Sequence, residues 1–128
     1  MTIDYINPPT VNPPLTEFSQ VTRVGDTLYI AGQIATDMDK ELVGIGDAEK
    51  QFDKTFENVH AILKHFGADW GNVVKLNTYF VHLSYRPAFV KMRKKHLSPP
   101  YPAQTVLVVS ALAEPEYICE IDAIAVLE

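Results

Sequence analysis

The chain has 128 residues, which fits one domain over 1–128 that buries roughly two-thirds of its unfolded surface. A hydrophobic share of 47% and a charged share of 21% are those of a soluble globular protein, and no apolar run nears the roughly 20 residues that span a bilayer. The net charge of −5 argues against a broad phosphate-binding surface, and the lone Cys119 excludes an intramolecular disulfide framework and a Cys-rich zinc site.

In chain order, Met1-Thr2-Ile3-Asp4-Tyr5 has no basic region leading into an apolar stretch, so the expected location is the cytoplasm. Residues 2–6 suit a short strand. Residues 7–14 contain four prolines and should be irregular, because proline lacks the ladder donor. Residues 18–24 and 27–31 read as strands joined by Gly25-Asp26, with glycine first, as a type II′ turn requires. Residues 33–46 form a long loop with turn chemistry at Asp37-Met38-Asp39-Lys40. A helix then starts at an Asp47 cap, repeats Phe52, Phe56, Val59, Leu63 and Phe66 at helical spacing, and stops at Gly67.

Residues 73–83 follow as a strand rich in β-branched and aromatic side chains. Ser84 caps a second helix with Pro87 in its first turn, and Pro99-Pro100 prevents its continuation. The cluster Lys91, Arg93, Lys94 and Lys95 on this helix reads as a solvated face. Residues 104–110 and 117–127 complete the pattern as strands. The fold class is therefore α+β, a sheet with two helices on one face. The late strands are apolar on both faces: Leu107 and Val109 alternate with Val106 and Val108, and Ile121, Ala123 and Ala125 with Ile124 and Val126. A half-solvated sheet alternates apolar with polar, so a second copy of the chain is expected to cover the other face.

Several fragments, in order, resemble the RidA/YjgF family, also called L-PSP endoribonuclease or translation-inhibitor proteins. They are Phe18-Ser19-Gln20, Val24-Gly25-Asp26-Thr27-Leu28-Tyr29-Ile30-Ala31-Gly32-Gln33-Ile34, Asn58-Val59, Val73-Val74-Lys75, Tyr101-Pro102-Ala103 and Glu120-Ile121-Asp122-Ala123-Ile124-Ala125. The resemblance covers residues 18–126. It implies a chorismate-mutase-like fold with a mixed sheet, a homotrimer with clefts between subunits, and hydrolysis of enamines or imines to ketoacid and ammonia. It implies no metal and no organic cofactor.

Glu120 stands in an apolar strand, where a solvated carboxylate is out of place. By resemblance it orients the attacking water, and a partly buried carboxylate can shuttle that proton. The alternative is a structural carboxylate paired with a cation across the subunit interface. Gln104 departs from the pattern, because deaminating members carry an arginine there that grips the substrate carboxylate. A neutral amide in place of that charged fork weakens 2-imino-acid binding by roughly one order of magnitude unless another cation compensates. Phe18 replaces a common tyrosine, and an expected asparagine in the second helix gives way to Val90 or Lys91.

Gly32 allows close backbone approach to a ligand, or is a strand-end turn. Tyr79, Asn77 and Thr105 add polar contacts to the site or satisfy the interface. Cys119 has no histidine near it in sequence and reads as a buried hydrophobe. His60, His65, His82 and His96 lack metal-site spacing. Three functions follow: a small-molecule hydrolase (or tautomerase) with Glu120 as acid–base, a non-catalytic metabolite-binding trimer, and a ribonuclease or translation inhibitor, which the acidic charge disfavours.

Overall fold

The computed structural model describes residues 2–128. The elements are β1 (Ile3–Ile6), β2 (Val21–Val24), β3 (Thr27–Gln33), α1 (Ala48–His65), β4 (Val73–Phe80), α2 (Arg86–His96), β5 (Ala103–Val108) and β6 (Cys119–Val126). The six strands form one sheet in the order β1-β2-β3-β6-β4-β5. Every neighbouring pair is antiparallel except β4 and β5, whose parallel pairing is spanned by α2. The sheet is thus mixed and the class α+β, as expected.

Both ends of α1 follow local chemistry. Asp47 Oδ1 accepts from the Lys50 amide at 3.0 Å. At the other end Gly67 takes φ +71°, its amide bonds the Lys64 carbonyl, and Ala68 N bonds Leu63 O, both at 3.0 Å. That double closure is a Schellman motif. The buried face of α1 carries Phe52, Phe56, Val59, Ile62 and Leu63 onto Leu28, Leu76, Ile121 and Ala125, all fully enclosed. The Phe52 ring lies 5.6 Å from Phe89 of α2 and 5.9 Å from Phe80 of β4, so it ties both helices to the sheet. Truncating such a ring costs about 3–5 kcal/mol.

The hairpin turn is as expected: Val24 pairs with Thr27, and Gly25 alone of the turn residues has positive φ. Other boundaries differ. Strand β2 starts at Val21 rather than residue 18, because side chains take over the polar groups before it. The Gln20 amide bonds Asn7 Oδ1, and Gln20 Nε2 bonds Asn12 O, both at 2.9 Å. Strand β4 ends at Phe80, and Leu83–Tyr85 is a 3-10 turn. Ser84 does not cap α2: its own amide donates to His82 Nδ1, and the N-cap of α2 is Tyr85, which makes no side-chain capping bond. Pro87 does sit in the first turn. Strand β5 starts one residue and ends two residues earlier than expected, and β6 starts two residues later and ends one earlier.

No element among the described residues covers the second face of the sheet. Tyr29 and Leu107 lie about half exposed. The middle of that face is more polar than the apolar alternation implied: Asn77 Nδ2 bonds Asp122 Oδ1, and Lys75 Nζ bonds Thr105 Oγ1, both at 2.8 Å.

Candidate functional site

Two cavities flank the sheet. The first, about 190 Å³, opens where β3 ends and β6 begins, and its walls include Phe18, Gly32, Asn58, Tyr117 and Glu120. Three of the six residues expected at the site therefore share one chamber. The loop before β2 carries Phe18, which is nearly half exposed. Asn58 of α1 holds the loop after β3 in place, donating to Ile34 O at 2.8 Å and Thr36 O at 2.9 Å. Behind it lies an amide chain in which Gln33 Nε2 donates to Gln20 Oε1 at 2.8 Å.

The Glu120 carboxylate lies directly over Gly32. A Cβ built on Gly32 would fall 1.9 Å from Glu120 Oε1 and 2.9 Å from Cγ. The glycine makes room for the carboxylate, so its role is more specific than the strand-end turn or ligand approach expected for it. Glu120 forms neither a hydrogen bond nor an ion pair through its side chain among the described residues. Burial pushes its pKa up, and the Asp122 charge adds to the rise. A carboxylate so placed holds a proton more readily than an exposed one and can exchange it with water or an amine.

Gln104 is elsewhere. Strand register places Glu120 opposite Tyr79, on the free face, and Gln104 beside Leu76, on the helix-covered face. Within one subunit the two side chains are on opposite sides of the sheet. Gln104 borders a second cavity of about 350 Å³ with Arg93, Lys94 and Tyr101. Arg93 Nη1 donates to Gln104 Oε1 at 3.5 Å, while its guanidinium lies 4.8 Å from the centre of the Phe89 ring.

Tyr79 and Thr105 lie on the free face. Burial raises the Tyr79 pKa, and the nearby carboxylates of Asp122 and Glu120 add to the rise. Thr105 accepts the Lys75 bond and contacts neither cavity.

Sequence reasoning missed Arg93 and Tyr101. The basic cluster is not a uniform solvated face: Lys91 pairs with Glu49 and Lys95 with Asp53, whereas Arg93 is half-buried against Phe89. The signal was available in the four-residue step from Phe89 to Arg93, which puts both on one helix face. Cys119 is fully buried and 3.6 Å from Thr55 Oγ1, and burial pushes its thiol up to about 12. No group of three or more metal-ligating side chains gathers among the described residues. No helix among them is long and apolar enough to cross a membrane.

This fold and the motifs along it are those of the endoribonuclease L-PSP family, which matches residues 10–127; the chain belongs to that RidA/YjgF family. Among its relatives is a 2-iminobutanoate/2-iminopropanoate deaminase of Dermatophagoides farinae, 28% identical over 96% of this chain and 95% of that one. A RutC family protein of Saccharolobus solfataricus is 33% identical over 88% of each chain. The crystal structure of RidA from the Antarctic bacterium Psychrobacter sp. superposes with a TM-score of 0.89 at 30% identity, covering 97% of this chain and 99% of that one.

Proposed function

We propose that this chain is a small-molecule hydrolase of the enamine and imine class, working in clefts between the subunits of a homotrimer. The observation that carries the reading is the half-buried, unpaired Glu120 carboxylate set over Gly32 in a cavity. In the reaction, water adds to the carbon of a C=N bond while Glu120 takes its proton. The protonated Glu120 returns that proton to nitrogen, giving a carbinolamine. Glu120 then takes the proton of the new hydroxyl and passes it to nitrogen as the C–N bond breaks, so that carbonyl product and ammonia leave. The deaminase name of the mite relative supports this class of chemistry.

The uncovered sheet face supports the trimer. So does the separation of Glu120 from Gln104, because two half-sites on opposite faces can meet only if each cleft takes one half from each neighbour. Phe18, Gly32 and Glu120 form one wall, and Gln104 comes from the adjacent subunit. Tyr79 and Thr105 line the interface rather than the ligand. The test is release of ammonia from freshly generated 2-imino acids. Native protein should accelerate it, and Glu120→Ala should abolish the acceleration; equal rates for the two proteins would refute the reading.

Gln104 favours a second reading, a trimer that binds a metabolite in the same clefts without converting it. Tight binding of a ketoacid without ammonia release would support that one.

A further inference from the structure

The second cavity has the chemistry of an anion site. Arg93 is half-buried and forms no ion pair among the described residues, although its helix neighbours Lys91 and Lys95 each have a carboxylate partner. A half-buried cation without a counter-ion is costly, and the face of Phe89 together with one long bond to an amide oxygen offsets only part of that cost.

The contact between Arg93 and Gln104 also orients the glutamine. Its Oε1 faces the guanidinium, so its Nε2, which has no partner among the described residues, is left free to donate. Arg93, Lys94, Tyr101 and Gln104 border one space, and each of these side chains can donate a hydrogen bond. Acidic side chains are absent from that border.

We infer that Arg93 and Gln104 together bind the carboxylate of a small ligand, the arginine supplying the charge and the glutamine a second, neutral donor. This deepens the proposed cleft and rests on it: the carboxylate is held by one subunit while the reacting carbon faces Glu120 of the next. Charge-assisted bonds from a planar guanidinium suit a carboxylate in two-point contact.

The probes are 2-oxobutanoate and its uncharged methyl ester, titrated calorimetrically into Glu120→Gln protein so that turnover plays no part. Arg93→Met keeps the packing against Phe89 and removes the charge. Gln104→Glu places a carboxylate beside Arg93 and blocks the site from the other side. Each should weaken the acid by about tenfold or more and leave the ester within about twofold, with Arg93→Lys in between. Thermal unfolding of each variant checks that the fold persists. An acid bound no better than its ester by the Glu120→Gln protein, or an affinity for the acid unchanged in Arg93→Met, would overturn the assignment. Charge-dependent binding without any ammonia release by native protein would leave the assignment standing and sink the hydrolase reading alone.

Discussion

Gly32 and Glu120 occupy one another's space: the carboxylate of Glu120 fills the position that a Cβ on residue 32 would need, 1.9 Å from Oε1 and 2.7 Å from Cδ. The φ of Gly32 is one that alanine can adopt, since it is absent from the positive-φ residues, so the demand is for space and not for backbone freedom. Gly32→Ala is therefore expected to fold but to displace the carboxylate by an ångström or more. Misplacement on that scale costs about a hundredfold in kcat/KM. In a Glu120→Ala background the same substitution should cost nothing further, because the group it displaces is gone. Steady-state kinetics of the two single variants and the double variant read this directly.

The raised pKa of Glu120 fixes the sign of two pH effects. Folding favours the protonated form, so stability from this group is full at acid pH and is lost as pH rises from the unfolded glutamate value through the higher folded one. Glu120→Gln should be more stable than native at neutral pH, with the difference vanishing in acid. Activity moves oppositely, because the base must be ionised. The acid limb of kcat/KM should lie above the ordinary glutamate range. A limb at or below that range would show that Glu120 is not the group titrating.

Asn58 is a stability residue with a consequence for the site. Its amide donates to two loop carbonyls that have few alternatives, at Ile34 and Thr36. Removing it in Asn58→Ala leaves those acceptors unpaired and should cost about 1–3 kcal/mol, measured by urea unfolding. KM should rise as well, since Ile34 and Thr36 also border the first cavity.

Cys119 should be chemically silent. With its thiol pushed up to about 12 and its side chain fully enclosed, iodoacetamide at pH ~8 should modify it only after denaturation. Labelling of the native protein at a rate matching free thiol would contradict the packing described here.

Much of the fold was legible because local chemistry and tertiary demand agree. Asp47, the five-residue apolar stripe of α1 and Gly67 each specify the same helix, and Gly25 specifies its turn. Two of the misplaced boundaries share one cause: a side chain replaces the expected backbone partner, as His82 Nδ1 does at the Ser84 amide and Asn7 Oδ1 at the Gln20 amide. At the site, Glu120 was legible as a charge within an apolar strand. That Gly32 serves Glu120 was not, because the pairing depends on a bulge between Ile30 and Gln33 that no periodicity reveals. Nor could the strand pattern alone tell that Gln104 and Glu120 face opposite ways, since that depends on which strands are neighbours and in what register.

That opposition makes the shared cleft the central claim, and mixed assembly tests it. Glu120→Gln chains, inactive in ammonia release, and Gln104→Glu chains, weakened about tenfold or more at low substrate, are unfolded together in equal amounts and refolded. A cleft built from two neighbours then draws both intact halves by chance, restoring about a quarter of native activity. A mixture no more active than its two components would contradict the account.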